Sequence, residues 1–369
     1  MMRPCNTLYV PIPPVALPRP LRPAANVSLT GGRSADGDKG ALRAALVGLG
    51  RRAISDHLPC LQAADDVQLV AVCDEDRIVL RRQQRQLGVP GYTDFREMFA
   101  TEGLDLAVVC VPHDVGRDVI RAAASNKVHV LKEKPFATTL AEAKELSELC
   151  ERSGIQLMVA LQRRLDPIHA SFQLLADQVG SPFLVEGRYT MHVADPSEGW
   201  RGQSGKAGGG CVIDMGYHLI DLVLWYFGLP DRIMADLSAN ARLDRHYDAE
   251  DTALVHFWYR RGLYGSLLFS RFLGPKTEEL RLVGPRGVVH LERDRICRLS
   301  NSGDVIETLG RERLEPSAGV NQIDYFTRVI NGTRPNLSGP ADQLPHLAFV
   351  TACYQAARTH TLVSPKEFL

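Results

Sequence analysis

The sequence predicts an α/β protein in two halves, a doubly wound parallel sheet followed by an α/β domain with a large, mostly antiparallel open sheet. Three observations carry this. Apolar runs alternate with helical patterns from Leu42 to Leu161, the rhythm of parallel strands joined by crossover helices. The first run ends in Gly48-Leu49-Gly50-Arg51-Arg52-Ala53, a glycine turn where a strand hands over to a helix. From Ile233 to Leu291 apolar runs follow one another with only turn residues between them, which favours antiparallel pairing.

Length and composition allow such an architecture. A chain of 369 residues, 45% hydrophobic and 23% charged, can bury a sizeable core in two domains or one large one. Lys+Arg and Asp+Glu balance at 43 each, so no global charge draws the chain to nucleic acid or to an anionic membrane. No apolar run approaches the roughly 18 residues of a membrane span. The 8 cysteines show no Cys-x-x-Cys and no Cys/His metal spacing, the pattern of reduced thiols in a cytoplasmic protein. Residues 1–40 carry seven prolines, from Pro4 to Pro23, then glycine-rich turns. They are expected to be a disordered tail, with 41–163 as the first domain and 164–369 as the second.

Taken in order, Leu42 to Val47 is the first strand. In the turn after it Gly48 allows a tight bend, Gly50 lets the backbone approach a pyrophosphate, and small Ala53 lets the next helix lie close to the strand. Val67 to Cys73 is the second strand and ends at Asp74, where a carboxylate accepts ribose hydroxyls. The plainer role for Asp74 is a cap on the helix through Asp76 and Arg77. Helices are expected over Glu75 to Leu87, after Thr93-Asp94, and from about Asp114 to Ser125. Strands are expected at Leu106 to Val111, ending in Pro112-His113, at Val128 to Leu131, and at Ile155 to Leu161. Lys132-Glu133-Lys134-Pro135-Phe136 follows the strand Val128 to Leu131, so Lys134 sits just past a strand's carboxyl end, where open parallel sheets place ligands. Fixed by Glu133 and Pro135, it could bind a substrate hydroxyl; otherwise it is a surface lysine in a turn. Thr138-Thr139 caps a helix from Leu140 to Ser153, and Asp166-Pro167 opens another.

Phe183 to Val193 looks extended, and a polar loop with Trp200-Arg201 leads to Gly208-Gly209-Gly210. From there to Trp225 the chain reads as a glycine loop feeding a helix. Asp214, His218, Asp221 and Trp225 recur at intervals of four, three and four and share one helical face. A carboxylate and an imidazole one turn apart suit general acid-base work, the carboxylate holding the imidazole near its working pKa. The same spacing could also hold a metal ion between Asp214, His218 and Asp221. Strands then follow at Ile233 to Ala241, Thr252 to Arg260, Leu263 to Phe272, Glu279 to Val283 and Val288 to Leu291. Helices over Ile323 to Ile330 and Asp342 to Thr359 close the chain.

Several of these stretches together carry a resemblance. The glycine turn, Glu133-Lys134-Pro135, Gln162-Arg163-Arg164-Leu165-Asp166-Pro167, and Gly208-Gly209-Gly210 followed by Asp214 and His218 occur in the order and spacing of the Gfo/Idh/MocA oxidoreductase family. The chain resembles that family from about Ala41 to Pro365. The resemblance implies a Rossmann domain joined to a domain with a large open sheet that often forms the subunit contact, hence a homo-oligomer, dimer or tetramer. It implies hydride exchange between a nicotinamide cofactor and a secondary alcohol or ketone of a sugar, sugar nucleotide or cyclitol.

By that resemblance Lys134 contacts cofactor and reacting oxygen, Asp214 orients the substrate, and His218 is the acid-base. Gly48, Leu49, Gly50, Arg51, Arg52, Asp74, Val111, Pro112, Glu133 and Lys134 line the cofactor, with no resident metal. Asp74 favours NAD, since a 2′-phosphate would face a carboxylate, while Arg77, Arg81 and Arg82 leave NADP open. The family commonly has threonine before Pro112 and histidine four residues after it; here these are Val111 and Gly116. Relatives on this scaffold also include NAD-holding glycosidases and a non-catalytic nucleotide sensor, so hydrolysis and regulation stand as alternatives.

Overall fold

The computed structural model describes residues 40–310 and 321–369. Of the tail expected to be disordered, residues 1–39 lie outside the described residues.

The first sheet has six parallel strands, β1 (Leu42–Val47), β2 (Val67–Cys73), β3 (Gly91–Tyr92), β4 (Leu106–Val109), β5 (His129–Glu133) and β6 (Leu157–Ala160). Their order is β3-β2-β1-β4-β5-β6. The order reverses between β1 and β4, and it is at the carboxyl edge of such a switch point that these sheets take ligands. Every residue from Leu106 to Val109 is buried, because helices cover both faces and leave no polar side for the strand to show. A π-helical turn, Ala53–His57, runs into α1 (Leu58–Ala63), and α2 (Arg77–Leu87), α3 (Phe95–Thr101), α4 (Gly116–Ser125) and α5 (Leu140–Ser153) follow. Asp76, not Asp74, caps α2, its carboxylate accepting from the Ile78 and Val79 N–H groups. Asp94 and Thr139 cap α3 and α5.

The second half adds α6 (Pro167–Ala170), α7 (Phe172–Ala176), β7 (Leu184–His192), α8 (Ser204–Ala207) and α9 (Tyr217–Phe227). Then come β8 (Arg232–Ser238), β9 (Thr252–Tyr259), β10 (Leu263–Ser270), β11 (Phe272–Gly284), β12 (Gly287–Glu292), β13 (Arg295–Leu299) and β14 (Val305–Gly310). Helices α10 (Gln322–Ile330) and α11 (Pro340–Thr359) end it. The eight strands lie in the order β14-β13-β12-β11-β7-β10-β9-β8. All pairs are antiparallel except β7 with β10. One face buries Val255, Phe257, Leu267, Phe269, Leu280 and Leu282; on the other, Leu254 and Tyr264 remain 47% and 44% exposed.

The structure corrects several boundaries. The helix expected from the glycine loop starts only at Tyr217, and Cys211 to Gly216 form successive turns. The cause is local. Gly208 and Gly209 have φ of 76° and 137°, and a Cβ on Gly210 would lie 2.0 Å from the Glu250 carbonyl oxygen. The chain is pressed against Glu250 and Tyr354 before it can wind. β4 ends at Val109, so Val111 is free to approach the glycine turn, and the helix expected from Asp114 is first a 3₁₀ turn, His113–Val115. β13 and β14, short and with charged or polar residues interrupting their apolar ones, escaped the apolar pattern.

After the second sheet the chain returns to the first. Ile323, Phe326 and Val329 of α10 share a core with Leu46, Leu61 and Val108. The Ser338 hydroxyl donates to the Val159 carbonyl at 2.7 Å.

Candidate active site

The glycine turn sits at the carboxyl end of β1. Gly48 has φ +82°, and a Cβ there would lie 2.6 Å from the Cys110 carbonyl oxygen and 3.1 Å from the Val111 nitrogen. Only glycine fits, because the conformation is left-handed and the β4 loop is in contact. Gly50 is different: nothing lies within 4 Å of its added Cβ, which leaves the backbone open on the side where a pyrophosphate would approach. The Leu49 N–H donates to the Asp74 carboxylate at 2.6 Å, and the Asp76 N–H donates to its other oxygen at 2.9 Å. Asp74 thus ties the turn to the end of β2 while keeping lone pairs for ribose hydroxyls. Arg51 is exposed, and Arg52 pairs with Asp56. These residues fit a dinucleotide: an open glycine backbone, a helix start and a carboxylate at the next strand's end.

Glu133 does not fix Lys134. Its carboxylate accepts from His57 Nε2 at 2.7 Å, joining β5 to the π-turn beneath the glycine loop. Burial opposes the charge on His57, but hydrogen bonds to Cys110 and Glu133 push its pKa up to about 10. It is an imidazolium at neutral pH. Lys132, also unforeseen, is buried and donates to the Glu133 and Pro135 carbonyls at 3.0 and 2.7 Å, bracing the turn that carries Lys134. A Cβ on Gly116 would lie 2.6 Å from Lys132 Cε. The lysine takes the space next to the position where the family commonly has histidine.

Lys134 and Asp214 meet directly. Lys134 Nζ donates to Asp214 Oδ1 at 2.8 Å and to the Asp214 carbonyl at 2.7 Å. Arg201 Nε and Arg271 Nη2 lie 3.3 and 3.5 Å from Asp214 Oδ2. Burial penalises the Asp214 charge, yet Lys134 and Arg201 hold the carboxyl well below its usual range. Arg201 also stacks over Trp200, 4.3 Å to the ring. Trp200 in turn packs on His113, whose ring donates toward the Ala207 carbonyl. Burial pushes the His113 pKa down to about 3, so it is neutral.

His218 opens α9 within reach of this cluster but not bonded to it. It is 3% exposed, and its Nδ1 has no hydrogen-bond partner among the described residues. Burial first, then Arg163, Lys134 and Arg52, hold its pKa well below the ordinary value. The expectation that Asp214 holds the imidazole near a working pKa is therefore corrected: the carboxylate is taken by cations, and burial with the nearby cations keeps the imidazole neutral. The Tyr189 ring lies 6.3 Å from that of His218. Arg163 pairs with Glu278 at the same end of the pocket.

Asp221 leaves the face it was expected to share. It pairs with Arg164 at 2.7 Å and with His346 at 2.9 Å in a buried cluster that ties α9 to α11. A metal ion between Asp214, His218 and Asp221 thus loses its third donor. Tyr217 is likewise internal, donating to Gln343 at 2.8 Å. Glu250 accepts from the Val212 N–H and from Tyr354, both at 3.0 Å, and so anchors the turns that present Asp214.

Both halves of the chain are similar to known proteins. Residues 42–161 match the family described as "Oxidoreductase family, NAD-binding Rossmann fold", and residues 173–290 match "GFO/IDH/MocA C-terminal domain". The chain is 28% identical over 345 residues to a D-apiose dehydrogenase of Paraburkholderia graminis, covering 88% of this chain and 90% of that one. It is 26% identical over 260 residues to scyllo-inositol 2-dehydrogenase (NAD(+)) of Bacillus subtilis, covering 68% and 73%. The crystal structure of aldose-aldose oxidoreductase from Caulobacter crescentus, complexed with glycerol, superposes with a TM-score of 0.78 at 22% identity, covering 88% and 99%.

Proposed function

The chain belongs to the Gfo/Idh/MocA oxidoreductase family, and from that premise we propose that it exchanges a hydride between NAD and a secondary alcohol or ketone of a sugar, sugar nucleotide or cyclitol. Residues 41–163 bind the cofactor and 164–369 the substrate. NAD, when bound, supplies the carbon that takes or returns the hydride. Gly48, Gly50 and the turn's N–H groups hold its pyrophosphate, and Asp74 takes the ribose, which disfavours a 2′-phosphate and so NADP.

The protein's own part is proton handling and orientation. Lys134 donates to the substrate oxygen and stabilises alkoxide character as the hydride leaves. Asp214 keeps that lysine aimed. His218, neutral and with a free ring nitrogen, accepts the hydroxyl proton. The observation that carries this reading is the Lys134 ammonium held at 2.7–2.8 Å by Asp214, beside a buried neutral imidazole and at the sheet edge that bears the glycine turn.

An absorbance screen of cyclitols, aldoses and sugar nucleotides with NAD and NADP in parallel tests it. NADH formation with at least one polyol is expected. A protein that binds the dinucleotide but reduces it with none would instead be a nucleotide sensor.

The partly exposed Leu254 and Tyr264 side of the second sheet supports pairing of copies into a dimer or tetramer, and a monomeric mass by light scattering would overturn that. Among the described residues no helix is long and apolar enough to cross a membrane. The described cysteines are free thiols, which supports a cytoplasmic setting.

A further inference from the structure

The cations around Lys134 outnumber the carboxylate that pairs with them. Asp214 faces Lys134, Arg201 and Arg271 at 2.8, 3.3 and 3.5 Å. Lys134 alone makes a close charge-assisted hydrogen bond; the guanidinium distances exceed the roughly 2.7–2.9 Å of such a bond. Arg271 is 4% exposed. Its Nη1 donates to the Arg201 carbonyl at 3.1 Å, while its Nη2 has no hydrogen-bond acceptor among the described residues. A buried guanidinium nitrogen without an acceptor is unfavourable, and so points to an acceptor that arrives with a ligand.

Among the described residues no carboxylate other than Asp214 forms an ion pair with Arg201 or Arg271. On the β11 side, Glu278 is committed to Arg163. Lys276 lies 5.9 Å from the Tyr189 ring and adds another cation. Glu133 pairs with His57, and Glu250, a buried carboxylate within electrostatic reach of Arg271, spends its hydrogen bonds on the Val212 N–H and Tyr354. Arg201, braced on Trp200, keeps a side chain that is 54% exposed. The cofactor pyrophosphate does not account for this excess. Its place is the glycine turn with Arg51 and Arg52, whereas Arg201, Arg271 and Lys276 belong to the other half of the chain.

We propose that the substrate is an acid, a sugar-type polyol bearing an anionic group, carboxylate or phosphate, that is seated by Arg201 and Arg271. This rests on the dehydrogenase reading and narrows its substrate class. The anion provides the acceptor that Arg271 Nη2 lacks and offsets the charge left over after Asp214 has paired with Lys134. It also brings negative charge towards His218, where neighbouring cations oppose the uptake of the substrate proton.

The test is a matched panel with the full chain: aldohexoses, the corresponding uronates, the corresponding 6-phosphates, and UDP-hexoses. Each is assayed for NADH formation and titrated calorimetrically into the NAD-loaded protein. At least one acid should exceed its neutral partner in kcat/KM by about thirtyfold or more, the order of one charge-assisted hydrogen bond. Added salt should erode that advantage. Uronates ahead of phosphates would identify the group as a carboxylate, and the reverse order as a phosphate. Arg271→Met and Arg201→Gln should shrink the acid-to-neutral ratio, with Arg271→Lys restoring part of it.

Neutral sugars turned over as well as every acid, or a ratio that ignores both arginines, would overturn the proposal. Acids that bind without any turnover would leave the anion site standing and sink the dehydrogenase reading. Neither turnover nor preferential binding of acids would sink both.

Discussion

Replacing Lys134 by methionine separates the two jobs assigned to this residue. Methionine fills the same space without a charge or a donor, so packing is kept and the two bonds at 2.7 and 2.8 Å are lost. Removing one preorganised donor from a developing oxyanion costs about 10²–10³ in kcat, about 2.7–4 kcal/mol. The stability loss should be smaller. Asp214 keeps Arg201 and Arg271 within 3.5 Å, so the carboxylate is not left unpaired. About 1–3 kcal/mol is expected, against the roughly 3–5 kcal/mol of breaking a buried pair outright. NADH absorbance gives kcat, and denaturant melts of the same preparation give the stability change. A Lys134→Met enzyme with kcat within about threefold of the parent, against the hundredfold expected, would refute the assignment.

The partner residue behaves differently: Asp214→Asn strands three cations together, so its denaturation midpoint should fall further than that of Lys134→Met, and an equal or smaller fall would count against the charge excess. Gly50→Ala should leave the melting curve of the cofactor-free protein unchanged, because nothing lies within 4 Å of the added methyl, yet weaken NAD at least about tenfold by calorimetry. Gly48→Ala should instead destabilise the protein, since the methyl meets the Cys110 carbonyl at φ +82°. Stability should also decline on the alkaline side: folding raises the His57 pKa from 6.5 to about 10, so its stabilisation is full below about pH 6.5 and is lost as pH rises towards 10. His57→Gln should flatten that limb, and an unchanged pH profile would contradict the His57–Glu133 pairing.

The cofactor half was legible because its chemistry is local. A strand, a turn and a carboxylate lie within one βαβ unit, and the spacing from Gly48 to Asp74 is fixed by that unit's geometry. Lys134 was legible for the same reason, at a strand's carboxyl end. Asp214 was found but misplaced. Apolar residues from Cys211 to Leu224 mimic a helix start, whereas Gly209 and Gly210 are pinned by Tyr354 and by the Glu250 backbone, which lie far along the chain. Asp221 failed as a site residue for a related reason: helical periodicity gives a shared face but not what packs on it, and Arg164 and His346 do.

Arg201, Arg271, Arg163 and Tyr189 converge from four separate segments, and no spacing rule links them. One signal was available. Arg271 interrupts the expected strand Leu263 to Phe272, and a charge at such a place is either exposed or paired. His57 gave no comparable sign, because its partner Glu133 lies 76 residues away.

The most direct measurement is the rate of NADH formation by His218→Ala beside the parent enzyme, with NAD affinity measured on the same samples. If the buried neutral imidazole takes the substrate proton, kcat falls by at least about a hundredfold, the lower end for one acid-base group, while NAD binds as before. A folded His218→Ala enzyme that turns over at the parent rate would contradict it.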